Sequence, residues 1–276
     1  MKNVNKVMRG NGSDVKYSKS QLGEIMSNVA SQNFQTNFLV HLLQKSRLEC
    51  FYLLLKEYSK RGVKPVNLKA LEIGYGSGFN LMVLKQLGFE ELGIDVLTPD
   101  CWNYALKDNH KFKFNVLRCD ITKESLPFPN ENFDVVLLID VLEHLYNPYF
   151  TLKEILRVLK NHGLTVIRTP NCANLKNRIL LLMGKSPYYN LKGWLFEDRR
   201  ETPSGSVCTG HIREYTMEEV KQILNIFGFK ILNCKYFITE EAITRSRQRL
   251  IRLYNLLEIL YNRWRYQMVL LAEKKT

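Results

Sequence analysis

At 276 residues, 45% of them hydrophobic, the chain is long enough to bury a large core in one domain with additions. No apolar run approaches the roughly 20 residues of a membrane-spanning helix, and the polar start from Met1 to Gly12 reads as no secretory signal, so a cytoplasmic location with at most peripheral membrane contact is expected. The net charge of +13 gathers at the ends: residues 1–69 hold 12 basic and 4 acidic side chains and residues 245–276 hold 8 and 2, whereas residues 70–169 hold 10 and 13.

Six scattered cysteines, with no Cys-x-x-Cys pair and no metal-ligand spacing, argue against a disulfide framework and against a zinc site, so no metal is expected. Residues 1–20 are polar. From about Ser20 to Lys60 apolar residues recur at helical spacing (Leu22, Ile25, Met26, Val29, then Phe38, Leu39, Leu42, Leu43, then Leu48, Phe51, Tyr52, Leu55, Tyr58), which predicts two or three helices before Gly62 and Pro65. Residues 1–66 therefore read as a helical extension, or cap, on a domain spanning 67–276.

That domain opens with a short strand (Ala70, Leu71, Ile73), a loop with Gly74, Gly76 and Gly78, a helix through Leu81, Val83, Leu84 and Leu87, and a second strand ending at Asp95. Strand, glycine loop, helix, strand, acid is half of a nucleotide-binding unit. Phe79 stands where a dinucleotide fingerprint wants its third glycine, and Glu72 precedes the loop. A carboxylate there repels a pyrophosphate and suits a cation, while Asp95, 21 residues after Gly74, can accept from both hydroxyls of a ribose. A ligand with a ribose, no phosphate and a positive charge fits: S-adenosylmethionine.

A polar helix is predicted over Pro99–Lys107, a third strand over Phe114–Cys119 ending at Asp120-Ile121, and a continuous apolar strand over Phe133–Ile139 ending at Asp140-Val141-Leu142-Glu143-His144. A helix over Tyr149–Leu159 and a fifth strand over Leu164–Arg168 follow. This alternation predicts a parallel sheet covered on both faces. Residues 172–212 break the rhythm with a short helix, Ile179–Met183, then Tyr188, Tyr189, Trp194, Phe196 and the charged run Glu197–Glu201. A loop-rich insert at the carboxyl end of a central strand reads as a lid and substrate-recognition segment. Thr216 and Glu219 make a capping box for a helix ending at Gly228. A sixth strand spans Phe229–Ile238, a basic amphipathic helix spans 245–264, and the last strand spans Tyr266–Ala272.

From Leu68 to Lys274 the chain resembles the class I S-adenosylmethionine-dependent methyltransferases, in the broad branch that works on quinones, small molecules, lipids and surface sugars. The resemblance rests on Leu71-Glu-Ile-Gly-Tyr-Gly-Ser-Gly78, Gly93-Ile-Asp95, Cys119-Asp-Ile121, Leu126-Pro-Phe-Pro-Asn-Glu-Asn-Phe-Asp134, Asp140-Val-Leu-Glu-His-Leu145, Leu152–Lys160, Thr169-Pro-Asn171 and Gly210-His-Ile-Arg-Glu-Tyr-Thr216. It departs from the usual Lys-Pro-Gly-Gly turn at Lys160-Asn-His-Gly163. It implies a Rossmann-like, doubly wound α/β sheet of seven mostly parallel strands, the last antiparallel, with N-terminal helices and the insert after strand five.

Position by position, the resemblance implies that Glu72 and the loop Gly74, Tyr75, Gly76, Gly78 and Asn80 hold the methionine end of the cofactor. Asp95 and Val96 would take the ribose, Asp120 and Ile121 the adenine, and Asp140 and Val141 would line the site near the sulfonium. Methyl transfer needs mainly proximity and orientation, and a base only where the acceptor must lose a proton. His144 is the first candidate for that base and His211 the second; His41, His110 and His162 read as bystanders. The sequence lacks an Asn/Asp-Pro-Pro-Tyr/Phe motif after strand four, which turns the reading from nucleic-acid bases toward a small-molecule, lipid-linked or glycan acceptor methylated on oxygen or carbon. An RNA methyltransferase using the basic ends, and a non-catalytic cofactor-binding subunit, remain the alternatives.

Overall fold

The computed structural model describes residues 18–34, 45–96, 115–187, 211–238 and 261–276. The expected apolar run over 38–43, the polar helix at 99–107, the aromatic and charged residues 188–201 of the insert, and the amphipathic helix up to residue 260 lie outside the described residues.

Two helices precede the sheet, α1 (Lys19–Asn33) and α2 (Lys45–Lys60). Then come β1 (Lys69–Ile73), α3 (Phe79–Gln86), β2 (Glu90–Asp95), β3 (Asn115–Arg118), β4 (Phe133–Ile139), α4 (Pro148–Val158), β5 (Leu159–Pro170), α5 (Leu175–Leu182), α6 (Met217–Ile226), β6 (Phe229–Phe237) and β7 (Gln267–Lys274). The strands form one sheet in the order β3-β2-β1-β4-β5-β7-β6, with β7 antiparallel to both neighbours and the pairs among β1 to β5 parallel. This is the doubly wound arrangement expected from the alternation of strand and helix. Among the described residues no helix is long and apolar enough to cross a membrane.

The period of two along each strand divides the core between the two faces. Ala70, Val135, Leu137, Val166, Val269 and Leu271 pack with α1, α2 and α3. Leu71, Ile73, Val136, Leu138, Ile167, Met268 and Leu270 pack with α4 and α6. Helices α1 and α2 therefore share the core of the sheet, through Leu22, Met26, Val29, Phe51, Leu54, Leu55 and others. Buried Glu49 of α2 takes ion pairs from Lys19 of α1 and Lys235 of β6, which fastens this layer at two more points. Ser18 caps α1 and Thr216 caps α6, each in a reciprocal capping box.

Strand β5 is longer than its apolar run. Pairing starts at Leu159 opposite Phe133 and resumes at Leu164 opposite Val135, so Lys160-Asn161-His162-Gly163 is an irregularity within the strand. A Cβ at Gly163 would lie 2.8 Å from the Lys160 carbonyl, which explains the glycine at its end.

The chain winds outward from β1 to β3, then returns to β4 beside β1 and winds the other way. At such a reversal α/β sheets bind ligands, at the carboxyl ends of the strands. Glu72, Gly74 and Asp140 all lie at that edge.

Candidate active site

The turn after β1 is a run of positive-φ glycines, with Gly74 at 70°, Gly76 at 51° and Gly78 at 76°. Gly74 is constrained twice, because a Cβ there would also lie 2.5 Å from Cγ2 of Val141. The glycine loop and the loop after β4 thus touch where the two half-sheets diverge. Glu72, at the penultimate position of β1, is 1% exposed. One of its carboxylate oxygens accepts from Nδ2 of Asn80 in the first turn of α3, and Oε2 is buried with no hydrogen-bond partner among the described residues. Burial is the main reason its carboxyl is pushed up to about 8; Asn80 and the Arg47 cation pull against that rise.

Arg47 comes from α2 and was not visible as a site residue in the sequence. Its Nη1 donates to Oδ1 of Asn80 at 3.0 Å, and Nη2 lies 3.4 Å from Oδ2 of Asp140. A second arginine, the buried Arg168 of β5, pairs with the same Asp140 oxygen and donates from Nε to Oγ of Ser46 at 2.9 Å. Two guanidiniums therefore converge on one carboxylate. Burial and then the Arg168 charge push the Arg47 guanidinium below its usual range. Asp140 sits at φ 57°, a left-handed conformation that costs on the order of 1–3 kcal/mol in a non-glycine residue, and its backbone N–H donates to the Arg168 carbonyl at 2.8 Å. Its Oδ1 is buried without a partner among the described residues.

The remaining expected cofactor residues fall around this centre. Asp95, at the end of β2, accepts on Oδ2 from the Gly76 N–H at 3.0 Å, so it steadies the glycine loop from the neighbouring strand. Val96 beside it is exposed, and Tyr75 is buried. Asp120 accepts on Oδ1 from both N and Oγ1 of Thr122, at 3.1 and 2.6 Å, and pairs with Lys123. Burial opposes its ionisation, but these bonds win and hold the carboxyl below its usual range. Ile121 is partly buried against the second core.

Past Asp140 the chain makes a short helical turn over Leu142–His144. Glu143 is buried within it, with Oε2 accepting from Oγ1 of Thr169 at 2.9 Å. Burial, and then the Asp140 charge, push its carboxyl up. The Glu143 carbonyl accepts from the N–H groups of Ile212 and Arg213, at 2.8 and 3.2 Å, and so brings the chain after the insert onto the site. The rings of His144 and His211 consequently meet edge to face, with centroids 5.1 Å apart. Glu143, His144 and His211 offer ligand atoms that all lie within 4.8 Å of one another, close enough to converge on one substrate hydroxyl or one divalent cation. The hydrogen bond to Glu214 is the main reason that the His211 imidazole is held above its usual range; burial pulls the other way. Sequence spacing alone did not bring Glu143 or Glu214 into this group.

Residues 71–167 match the family described as "Methyltransferase domain". The chain is 33% identical over 132 residues to the ubiquinone biosynthesis O-methyltransferase of Bradyrhizobium diazoefficiens, covering 45% of this chain and 50% of that one. It is 30% identical over 147 residues to the protein of the same name from Pelagibacter ubique, covering 51% and 58%. The chain thus spans about half the length of the curated relatives it matches. Among solved structures, a SAM-dependent methyltransferase from Archaeoglobus fulgidus aligns over 87% of this chain and 100% of its own, at 20% identity and a TM-score of 0.52. The fold is that of the class I S-adenosylmethionine-dependent methyltransferases, and the family match runs from β1 into β5.

Proposed function

We propose that this chain transfers the methyl group of S-adenosylmethionine to a hydroxyl oxygen of a small-molecule acceptor of quinol or phenol type. The observation that carries the reading is the convergence, at one edge of the sheet, of a cradle of acids and arginines and a cluster of groups suited to a hydroxyl. The cradle fits the cofactor on its own chemistry. Glu72, with an unpartnered buried oxygen, suits the cationic amino end; Arg47 and Arg168, two cations on one acid, suit a carboxylate; Asp95 suits a ribose diol. Asn80 holds Glu72 and Arg47 in place, and Asp140 with Val141 forms the wall toward the acceptor. Bound there, the cofactor supplies an activated methyl group on a neutral leaving group, so the protein's part is alignment and disposal of one proton. Glu143, His144 and His211 are placed for that proton. The names of the relatives favour an oxygen acceptor; a lipid-linked or glycan acceptor is the second choice on the exposure of Leu181, Leu182 and Met183 within the insert.

Incubation with methyl-labelled S-adenosylmethionine and fractionated cell extract tests this. Label in an organic-extractable phenol or quinol fraction is expected. Label only in RNA, or no label at all, would sink the proposal.

The Glu72 carboxyl gives a second expectation. A carboxyl titrating near 8 is mostly protonated at pH 7, and a cationic group arriving beside it favours the ionised form. Binding of S-adenosylhomocysteine at pH 7 is therefore expected to release close to one proton, read by calorimetry in buffers of different ionisation enthalpy. E72Q should abolish the release; equal release from wild type and E72Q would remove Glu72 from the cofactor site. The same shift makes Glu72 destabilising as pH rises. Its folded carboxyl keeps a proton that the unfolded chain has already lost, so its contribution disappears between about 4.5 and 8.

A further inference from the structure

Three asparagines follow the end of β5 at intervals of three: Asn171, Asn174 and Asn177. All three are buried, at 1%, 0% and 4% exposure, in a stretch whose sequence reads as the opening of a loop-rich insert. Buried amides need partners, and these have them. Asn171 donates from Nδ2 to the carbonyls of Arg263 and Arg265, at 2.9 and 2.8 Å, and accepts from the Ala173 N–H at 3.0 Å. Asn174 donates to the Asn171 carbonyl at 2.7 Å and accepts from the Asn177 N–H at 2.9 Å, as the cap of α5. Asn177 donates from Nδ2 to the Cys172 carbonyl at 2.9 Å and to Oε2 of Glu214 at 3.0 Å. The other oxygen of Glu214, Oε1, is 2.9 Å from Nδ1 of His211.

The directions of the bonds from Asn177 to His211 follow from two acceptors, the Cys172 carbonyl and an ionised Glu214. A carbonyl only accepts, so the Asn177 group facing Cys172 is the amide nitrogen. That nitrogen has two hydrogens, and the second one goes to Glu214. Glu214 accepts on Oε2, and an ionised carboxylate accepts on Oε1 as well. The His211 Nδ1 is then the donor, which leaves Nε2 with its lone pair.

We propose that Glu214, itself oriented by Asn177, is a positioning residue that fixes His211 in the Nδ1–H tautomer and so reserves Nε2 for the acceptor hydroxyl. The arrangement rests on the reading of the site as one that handles a hydroxyl, and it singles out His211, where the sequence put His144 first. His144 lies in the turn before it with its backbone N–H bonded to the Val141 carbonyl at 2.9 Å, and it meets His211 through the ring. The groups facing His211 from neighbouring elements are Glu143, His144 and Asp140 from the loop after β4, with Glu214 from its own segment.

The test is long-range proton–nitrogen NMR on the full chain, whose five histidines keep the spectrum readable. His211 is assigned by its loss in H211Q, and the sample is alkaline enough for neutral imidazole. The expected result is a protonated Nδ1 in the wild type, the opposite tautomer in E214Q, whose single amide oxygen faces Asn177 so that its NH2 donates to Nδ1, loss of any preference in E214A and its weakening in N177A. A second arm follows labelled methyl transfer to 3,4-dihydroxybenzoate as a phenol probe. E214A should lower kcat at least tenfold with S-adenosylhomocysteine affinity within twofold of wild type, and E214Q should not recover the rate, whereas E214D, which keeps two acceptor oxygens, should recover part of it. Nε2–H in the wild type, or a tautomer indifferent to Glu214, overturns the proposal. Failure of the wild type to bind S-adenosylhomocysteine instead overturns the methyltransferase reading and leaves the tautomer result standing.

Discussion

Substitution of Asp95 by alanine is expected to weaken binding of S-adenosylhomocysteine by about 2–4 kcal/mol, roughly thirtyfold to a thousandfold, read by calorimetry. The carboxylate stands at the end of β2 facing the glycine loop, where it accepts from the Gly76 N–H. A hydrogen bond to a charged group contributes about 1.5–3 kcal/mol, and a ribose diol offers two such donors. The variant removes the loop bond as well, so the fall in affinity has two sources. D95N separates them: it retains an oxygen for the Gly76 amide and loses the charge, and should fall between wild type and alanine. A ligand without the diol provides the second control. 2′,3′-Dideoxyadenosine should bind wild type and D95A within about threefold of each other. If D95A binds S-adenosylhomocysteine as wild type does, the ribose assignment is wrong.

Much of the cradle could be read from the sequence because its acids close apolar runs. Glu72, Asp95 and Asp140 each lie at or next to the end of a strand whose hydrophobic pattern is strong, and the parallel sheet then brings strand ends to one edge. The glycine loop carries its own signal, since positive φ and the close approach to Val141 leave few other residues possible. Arg47 had no such signal. It lies in a helix whose apolar stripe explains the pattern around it, and it reaches Asp140 across 93 positions of sequence. Arg168 looked like the polar end of a strand, and only the pairing of β5 past it, to Pro170 opposite Gln267, shows that it is interior. The asparagine series had the composition of a loop, and what makes it a rigid connection is the turn before β7 and the segment after the insert, both distant in sequence. The rest of the insert and the basic helix toward the C-terminus fall outside the described residues, so the part of the chain that the sequence named for acceptor choice stays an expectation.

Replacing Arg168 by methionine is expected to destabilise the fold by about 3 kcal/mol. Arg168 is 2% exposed, its Nε serves Ser46 and its Nη1 pairs with Asp140. Removing one member of a buried ion pair commonly costs about 3–5 kcal/mol because the other charge is left uncompensated. The low end applies here, since the Asp140 side chain is 33% exposed and keeps Arg47 at 3.4 Å. Urea unfolding of wild type and variant measures the difference, with an unchanged slope as the sign that the same surface is exposed. The double variant R168M/D140N distinguishes a charge effect from lost packing. The double variant also takes from Arg47 the acid that it shares with Arg168, so where charge dominates it should lose roughly a further 1–2 kcal/mol. A loss below about 1 kcal/mol in R168M would show that Arg47 alone satisfies Asp140, and that the left-handed turn at Asp140 is held by the backbone bond to residue 168 rather than by its side chain. A double variant as stable as R168M would place the contribution of Arg168 in its packing against α2. In the expected case the left-handed turn and the charge at Asp140 are held by two guanidiniums at the junction of the two half-sheets.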